Sequence, residues 1–142
     1  MKWTYLLAAV ALTAIFGLPF RAYDTGKLLP VRTVQAALSE GGAVRLVTEI
    51  GEAEGATWEE AVAALREGAS GDVFFDTAEQ LVVCAPSLLP QIVESGDLRP
   101  AAQVYFADAP TDPAGLNAYL RAHESALTVA DVRCALLREG CP

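Results

Sequence analysis

The sequence contains one histidine, three cysteines and only ten basic residues against 18 acidic ones. A zinc site is disfavoured, because zinc ligands recur at short spacings and the three cysteines lie 50 and seven residues apart. Nucleic acid is excluded as a partner, because binding its phosphates requires a clustered basic face. We therefore expect no metal, no cofactor and no nucleic-acid partner.

Charge is completely missing from residues 3–20, WTYLLAAVALTAIFGLPF, which Lys2 precedes and Arg21 follows. This layout is typical of a signal sequence, and 18 residues also approach the length of about 20 that spans a bilayer. Phe20 stands where signal peptidase prefers a small residue, so we favour an uncleaved membrane anchor over a cleaved signal peptide. A buried core helix is disfavoured, because the run lacks amphipathic periodicity.

Residues 21–142 carry nine basic and all 18 acidic residues, a net charge of −9. One domain of this size can bury a substantial core, whereas two would each be marginally stable. We predict a signal sequence or anchor over residues 1–20, a linker over 21–29 and a single extracytoplasmic domain over 30–142. The domain is expected to be membrane-anchored, with a secreted form as the alternative.

The first half of the domain predicts a hairpin followed by a helix. LLPVRTVQAAL, residues 28–38, and the alternating VRLVTEI, residues 44–50, are joined by a Gly-Gly turn and predict two strands. GEAEG, residues 51–55, interrupts the strand pattern. Thr57 and Glu60 predict a capping box that begins a helix. The apolar residues of that helix recur at helical spacing: Trp58, Ala61, Val62 and Leu65.

The second half alternates strands and helices. Strands are predicted around residues 73–85 and over 101–109, and helices begin near Ser87, Pro113 and Thr128. The resulting order is ββαβαβαα, after an N-terminal hydrophobic helix. It predicts an α+β fold whose helices pack on a small, mostly antiparallel sheet of about four strands.

Residue types that perform catalysis are rare and poorly placed. His123 lies on the apolar stripe of a predicted helix, and no serine has the G-x-S-x-G context of a hydrolase nucleophile. Cys84 lies in an apolar strand and is interpreted as a small buried hydrophobe, whereas Cys134 and Cys141 could close a disulfide loop. We therefore predict no catalytic, cofactor-binding or metal-binding residues and no enzymatic activity.

Two alternatives to a pure interaction role stay open. One is a domain that binds a small ligand in a cleft lined by the apolar faces of the two C-terminal helices and by Trp58, Tyr105 and Tyr119, although such aromatic residues more often belong to a core. The other, less favoured, is a hydrolase that uses His123 with a serine or cysteine.

Four segments follow one another in a distinctive order: VRLVTEIGE, TWEEAVAALRE, LVVCA and LRPAAQVYFADA. Over residues 30–110 this order resembles the first domain of the Ger(x)C family, the membrane-anchored C subunits of bacterial spore germinant receptors. The matching positions are Thr57, Glu60, Ala61, Leu65, Arg99, Val104 and Ala107.

The chain departs from the family pattern in several respects. Family members look like lipoproteins with a cysteine after the signal and run to several times this length, and LLPVRTVQ replaces their glycine-rich first strand. The resemblance implies a non-enzymatic, extracytoplasmic assembly domain in a spore-forming bacterium. The implied partner is a protein of the cell envelope or spore inner membrane, with residues 3–20 in the membrane.

Overall fold

A computed structural model describes residues 2–16 and 25–139 of the chain. Within these ranges short 3₁₀ turns cover Thr25–Lys27 and Pro86–Leu88. The helices are α1 (Lys2–Phe16), α2 (Trp58–Gly68), α3 (Leu89–Ser95), α4 (Leu116–Ala122) and α5 (Val129–Glu139). The strands are β1 (Leu28–Pro30), β2 (Thr33–Leu38), β3 (Val44–Thr48), β4 (Gly51–Gly55), β5 (Asp72–Phe74), β6 (Gln80–Val83) and β7 (Gln103–Phe106).

The central sheet has five strands in the order β4-β3-β2-β6-β7, and β1 and β5 form a separate parallel pair. The pairs β2–β3 and β3–β4 are antiparallel, whereas β2–β6 and β6–β7 are parallel. The predicted α+β class is confirmed, but the expectation of a mostly antiparallel sheet is wrong. The chain passes through α2 before β6 and through α3 before β7, and such helical crossovers return a strand parallel to its neighbour.

The predicted element order is not confirmed, because it has four strands and the described ranges of the structure have seven, with β1, β4 and β5 as the additional ones. The segment GEAEG, expected to interrupt the strand pattern, pairs with β3 in the register Thr48↔Gly51 and Val44↔Gly55. Its small residues suit this place, because α2 lies against the strand. A Cβ atom at Gly55 would come within 2.5 Å of the backbone nitrogen of Ala61.

The main core lies between one face of the sheet and helices α2, α3 and α5. The helix α2 begins as predicted, because the Thr57 hydroxyl accepts a hydrogen bond from the Glu60 N–H at 3.3 Å. The Glu60 carboxylate accepts in turn from the N–H of Ala56 at 2.9 Å. The four predicted core positions of this helix are all buried: Trp58, Ala61, Val62 and Leu65.

The N-terminal helix α1 is 15 residues long, and every side chain from Trp3 to Ile15 is exposed. No helix within the described ranges is both long enough and apolar enough to cross a membrane. Residues 17–20, the end of the predicted apolar segment, lie outside the described residues. β1 begins at Leu28, within the segment predicted as a linker, and the domain boundaries stay a prediction.

Candidate functional site

The face of the sheet opposite the main core is polar. Its rows follow from the strand register, in which Thr33, Gln80 and Gln103 lie side by side across β2, β6 and β7. Gln35 lies in the next row, between Val47 of β3 and Val82 of β6, and Tyr105 follows on β7. Thr33, Gln35 and Gln80 are each almost completely buried. Buried polar side chains of this kind require hydrogen-bond partners, which identify what covers the face.

The partners come from residues 107–122, which we call the cover segment. The amide of Gln35 contacts the backbone of Thr111 twice, donating from Nε2 to its carbonyl oxygen and accepting at Oε1 from its N–H, both at 2.8 Å. Further along, Asn117 Nδ2 donates to Gln80 Oε1 at 2.7 Å, and the Thr33 hydroxyl donates to the same oxygen at 2.8 Å. The second face is therefore closed by side-chain hydrogen bonds.

A bidentate ion pair fixes the end of the cover segment. Arg121 donates from Nε and from an Nη atom to the two carboxylate oxygens of Glu79, at 2.8 and 2.7 Å. The hydrogen bond from Arg121 is the main cause that lowers the pKa of Glu79, and the same pair raises the pKa of Arg121. Glu79 is consequently a carboxylate at neutral pH, as the ion pair requires.

The Tyr105 hydroxyl connects the sheet to the end of the cover segment. It lies 2.7 Å from Gln103 Oε1 and 3.0 Å from the carbonyl oxygen of Leu120, and it accepts from the N–H of Ser125 at 3.2 Å. The helix α4 begins at Leu116 and not near Pro113 as predicted. Gly115, with φ of 77°, takes the left-handed conformation that turns the chain into this helix.

The structure places His123 just after α4, exposed to solvent. Its Nδ1 lies 2.9 Å from the carbonyl oxygen of Tyr119, and its ring stacks on the Tyr119 ring with centroids 4.3 Å apart. Over residues 2–16 and 25–139, no serine hydroxyl or cysteine thiol is hydrogen-bonded to this imidazole. The arrangement is that of a surface stacking pair.

The three aromatic residues considered for a ligand cleft do not come together. Trp58 is completely buried in the main core, where its indole N–H donates to Asp97 Oδ2 at 3.0 Å. Tyr105 lies on the opposite face of the sheet, and Tyr119 is exposed on α4. Trp58 therefore cannot share a cleft with the other two.

The cysteines also occupy separate places. Cys84 is half-buried just after β6, where burial raises the pKa of its thiol and the nearby Asp108 carboxylate raises it further. Cys134 is exposed on α5, and Cys141 lies outside the described residues, so their predicted disulfide is not described. In the described part of the chain, no group of three or more His, Cys, Asp or Glu side chains could hold a metal ion.

The edge strand β4 presents an acidic border. Glu52 and Glu54 are exposed on the polar face, and Arg45 of β3 donates to Glu52 at 2.7 Å, which raises the pKa of Arg45. Beside them an open depression of about 480 Å³ is lined mainly by Leu38, Glu40, Arg45, Glu54 and Pro110. This border combines unpaired strand backbone with an excess of negative charge, since Glu40, Glu52 and Glu54 outnumber Arg45.

Comparisons with protein-family models, with curated proteins and with solved structures found no match to this chain. Function must therefore be inferred from the geometry of the chain itself. Within the described residues, that geometry offers two surfaces suited to other molecules, the exposed apolar helix α1 and the acidic border at β4.

Proposed function

We propose that the chain is a non-enzymatic interaction module, held at the extracytoplasmic face of a membrane by its N-terminal segment. The observation that supports this proposal is the exposure of α1, where side chains such as Trp3, Leu7 and Ile15 are 81%, 64% and 66% exposed. A helix that is apolar on all sides is stable only in apolar surroundings such as a lipid bilayer. The uncharged run of the sequence, residues 3–20, is 18 residues long, which is close to the length of about 20 that spans one.

The acidic remainder of the chain is the part that would contact a protein partner. Helices cover one face of its five-stranded sheet, and the cover segment closes the other face over β2, β6 and β7 but leaves Glu52 and Glu54 of β4 exposed. Edges and surface strands are therefore the places where a partner would bind. The resemblance to the first domain of the Ger(x)C family supports a partner in the cell envelope or spore inner membrane, in germination or sporulation.

Membrane attachment is tested by two matched substitutions in the full chain, Leu7→Arg in α1 and Leu137→Arg in α5. The two leucines are similarly exposed, at 64% and 66%, so neither change disturbs the core. A charge inside an inserted apolar helix is costly, so Leu7→Arg is expected to move most of the chain from the membrane fraction to the soluble fraction. Leu137→Arg should leave the distribution unchanged.

N-terminal sequencing of the recovered protein decides between anchor and secretion. An uncut chain in the membrane fraction supports the anchor. A soluble chain cut near residue 20 contradicts it and favours the secreted alternative. Deletion of the gene in a spore-forming host, followed by a germination assay, tests the role in spores, and unchanged germination would remove that role from the proposal.

A further inference from the structure

The strand β4 has one unpaired edge. It ends the five-stranded sheet, with β3 as its neighbour on one side. Because backbone groups alternate in direction along an antiparallel strand, half of those in β4 point away from β3. In the described ranges, no backbone hydrogen bond joins β4 to an element other than β3. An edge of this kind is a template for one more strand.

The charge on this edge selects the strand that it would accept. Glu52 and Glu54 lie two residues apart, so their side chains point to the same face, and both are exposed. Arg45 is hydrogen-bonded to Glu52 and lies directly across from Glu54 in the register, so one positive charge faces two negative ones. Glu40 lines the depression on the same side. The local field is therefore negative and favours basic side chains at alternate positions of an incoming strand.

We propose that the β4 edge binds an extended segment of a partner protein that carries lysine or arginine at alternate positions, as an additional strand of the sheet. Opposite charges directly across two strands stabilise the pairing, whereas like charges destabilise it. A second copy of this chain is disfavoured as the occupant. Pairing two β4 edges would bring Glu52 and Glu54 of one copy next to the same glutamates of the other, and these like charges repel. The inference rests on the proposed interaction role and specifies its partner.

The test uses the full chain in detergent micelles and the peptide KTKVKTKV as the probe. Two measurements are made, the dissociation constant and amide hydrogen exchange of β4. The variant Glu52→Gln/Glu54→Gln removes the two charges of the edge and keeps the side-chain volumes. Its matched control, Glu67→Gln/Glu139→Gln, removes two exposed charges from α2 and α5 and leaves the net charge the same as in the first variant.

We expect the peptide to slow amide exchange in β4. We also expect the edge variant to bind it about tenfold more weakly, which corresponds to about 1.4 kcal/mol, while the control binds within about twofold of the original chain. The acidic peptide ETEVETEV should bind the original chain weakly. Its dissociation constant should be at least as high as that of KTKVKTKV with the Glu52→Gln/Glu54→Gln variant.

Four results would overturn the inference: no binding at millimolar peptide, binding without protection of β4, equal weakening in both variants, or equal binding of the acidic peptide. None of them bears on membrane attachment, which the Leu7→Arg experiment measures separately. A chain that binds the peptide at β4 but is found soluble would retain the edge site and lose the anchor.

Discussion

Gln35 and Thr111 meet through two hydrogen bonds of 2.8 Å that join the Gln35 side-chain amide to the Thr111 backbone. The amide group of the side chain thereby takes the place of a neighbouring peptide group. Gln35 is almost completely buried, so these bonds are shielded from water. A single side chain of β2 thus secures the first part of the cover segment.

Replacing Gln35 with methionine should destabilise the chain. The change keeps the volume but removes both bonds, and loss of buried hydrogen bonds costs about 1–3 kcal/mol. Urea unfolding measures the loss, and amide exchange at Thr111 should accelerate. Thr111→Ala is the control, because the two short bonds use backbone atoms that this variant keeps. If Thr111→Ala lowered the free energy of unfolding as much as Gln35→Met, the role assigned to the Gln35 amide would be contradicted.

The Tyr105 hydroxyl should contribute measurably to stability. Tyr105→Phe removes its contacts to Gln103, Leu120 and Ser125 and is expected to lower the free energy of unfolding by about 1–2 kcal/mol. Tyr119→Phe is the matched control, because Tyr119 is 60% exposed and its change should fall within about 0.5 kcal/mol. Equal effects of the two variants would show that the Tyr105 contacts add nothing.

The ion pair between Glu79 and Arg121 should make stability depend on pH. Because the folded-state pKa of Glu79 is lowered, its contribution is complete above the ordinary value of 4.5 and is lost as pH falls through the lower folded value. Arg121→Gln should therefore reduce the urea midpoint at pH 7 and converge with the original chain in acid. Arg138→Gln changes an exposed residue of α5 that forms no ion pair with Glu79. Its urea midpoint should differ little from that of the original chain at either pH.

Cys84 should react slowly with alkylating reagents. Burial first and Asp108 second raise its pKa, so the reactive thiolate is scarce at neutral pH. In a Cys134→Ser/Cys141→Ser background, iodoacetamide should label folded Cys84 more slowly than the urea-unfolded chain. Asp108→Asn should move the pH midpoint of labelling downward. Rapid labelling at pH 7 would revive Cys84 as a nucleophile for the hydrolase alternative.

Local sequence patterns predicted the two capped helices well. Thr57 and Glu60 begin α2, and at the start of α5 the Thr128 N–H donates to Asp131 while the Asp131 N–H donates to the Thr128 hydroxyl. Such contacts span three residues, so the chain carries them locally. The Ser87 prediction was wrong, because a 3₁₀ turn precedes α3 and Leu88 occupies its N-cap position without a side-chain bond.

Features set by distant pairing could not be predicted in the same way. The strand β4 consists of glycine, alanine and glutamate, which have low strand propensity. It is stabilised by pairing with β3 and by packing against α2. The polar face also depends on neighbours that meet only in the fold. A usable pattern was present for Gln35 and Gln103, which lie within predicted strands, where an amide turned away from water requires a partner. Gln80 had no such signal, because it ends the polar stretch DTAEQ that was expected to separate two strands.

The distance along the chain between the polar face and its cover has a consequence during synthesis. Thr33 and Gln35 leave the ribosome 84 and 76 residues before their partners Asn117 and Thr111. Throughout that interval this side of the β2–β3 hairpin is exposed to solvent. A hydrophobic surface there would promote aggregation of nascent chains. Threonine and glutamine can form hydrogen bonds with water until the cover segment has been synthesised. The composition of the face therefore suits a surface that is buried late.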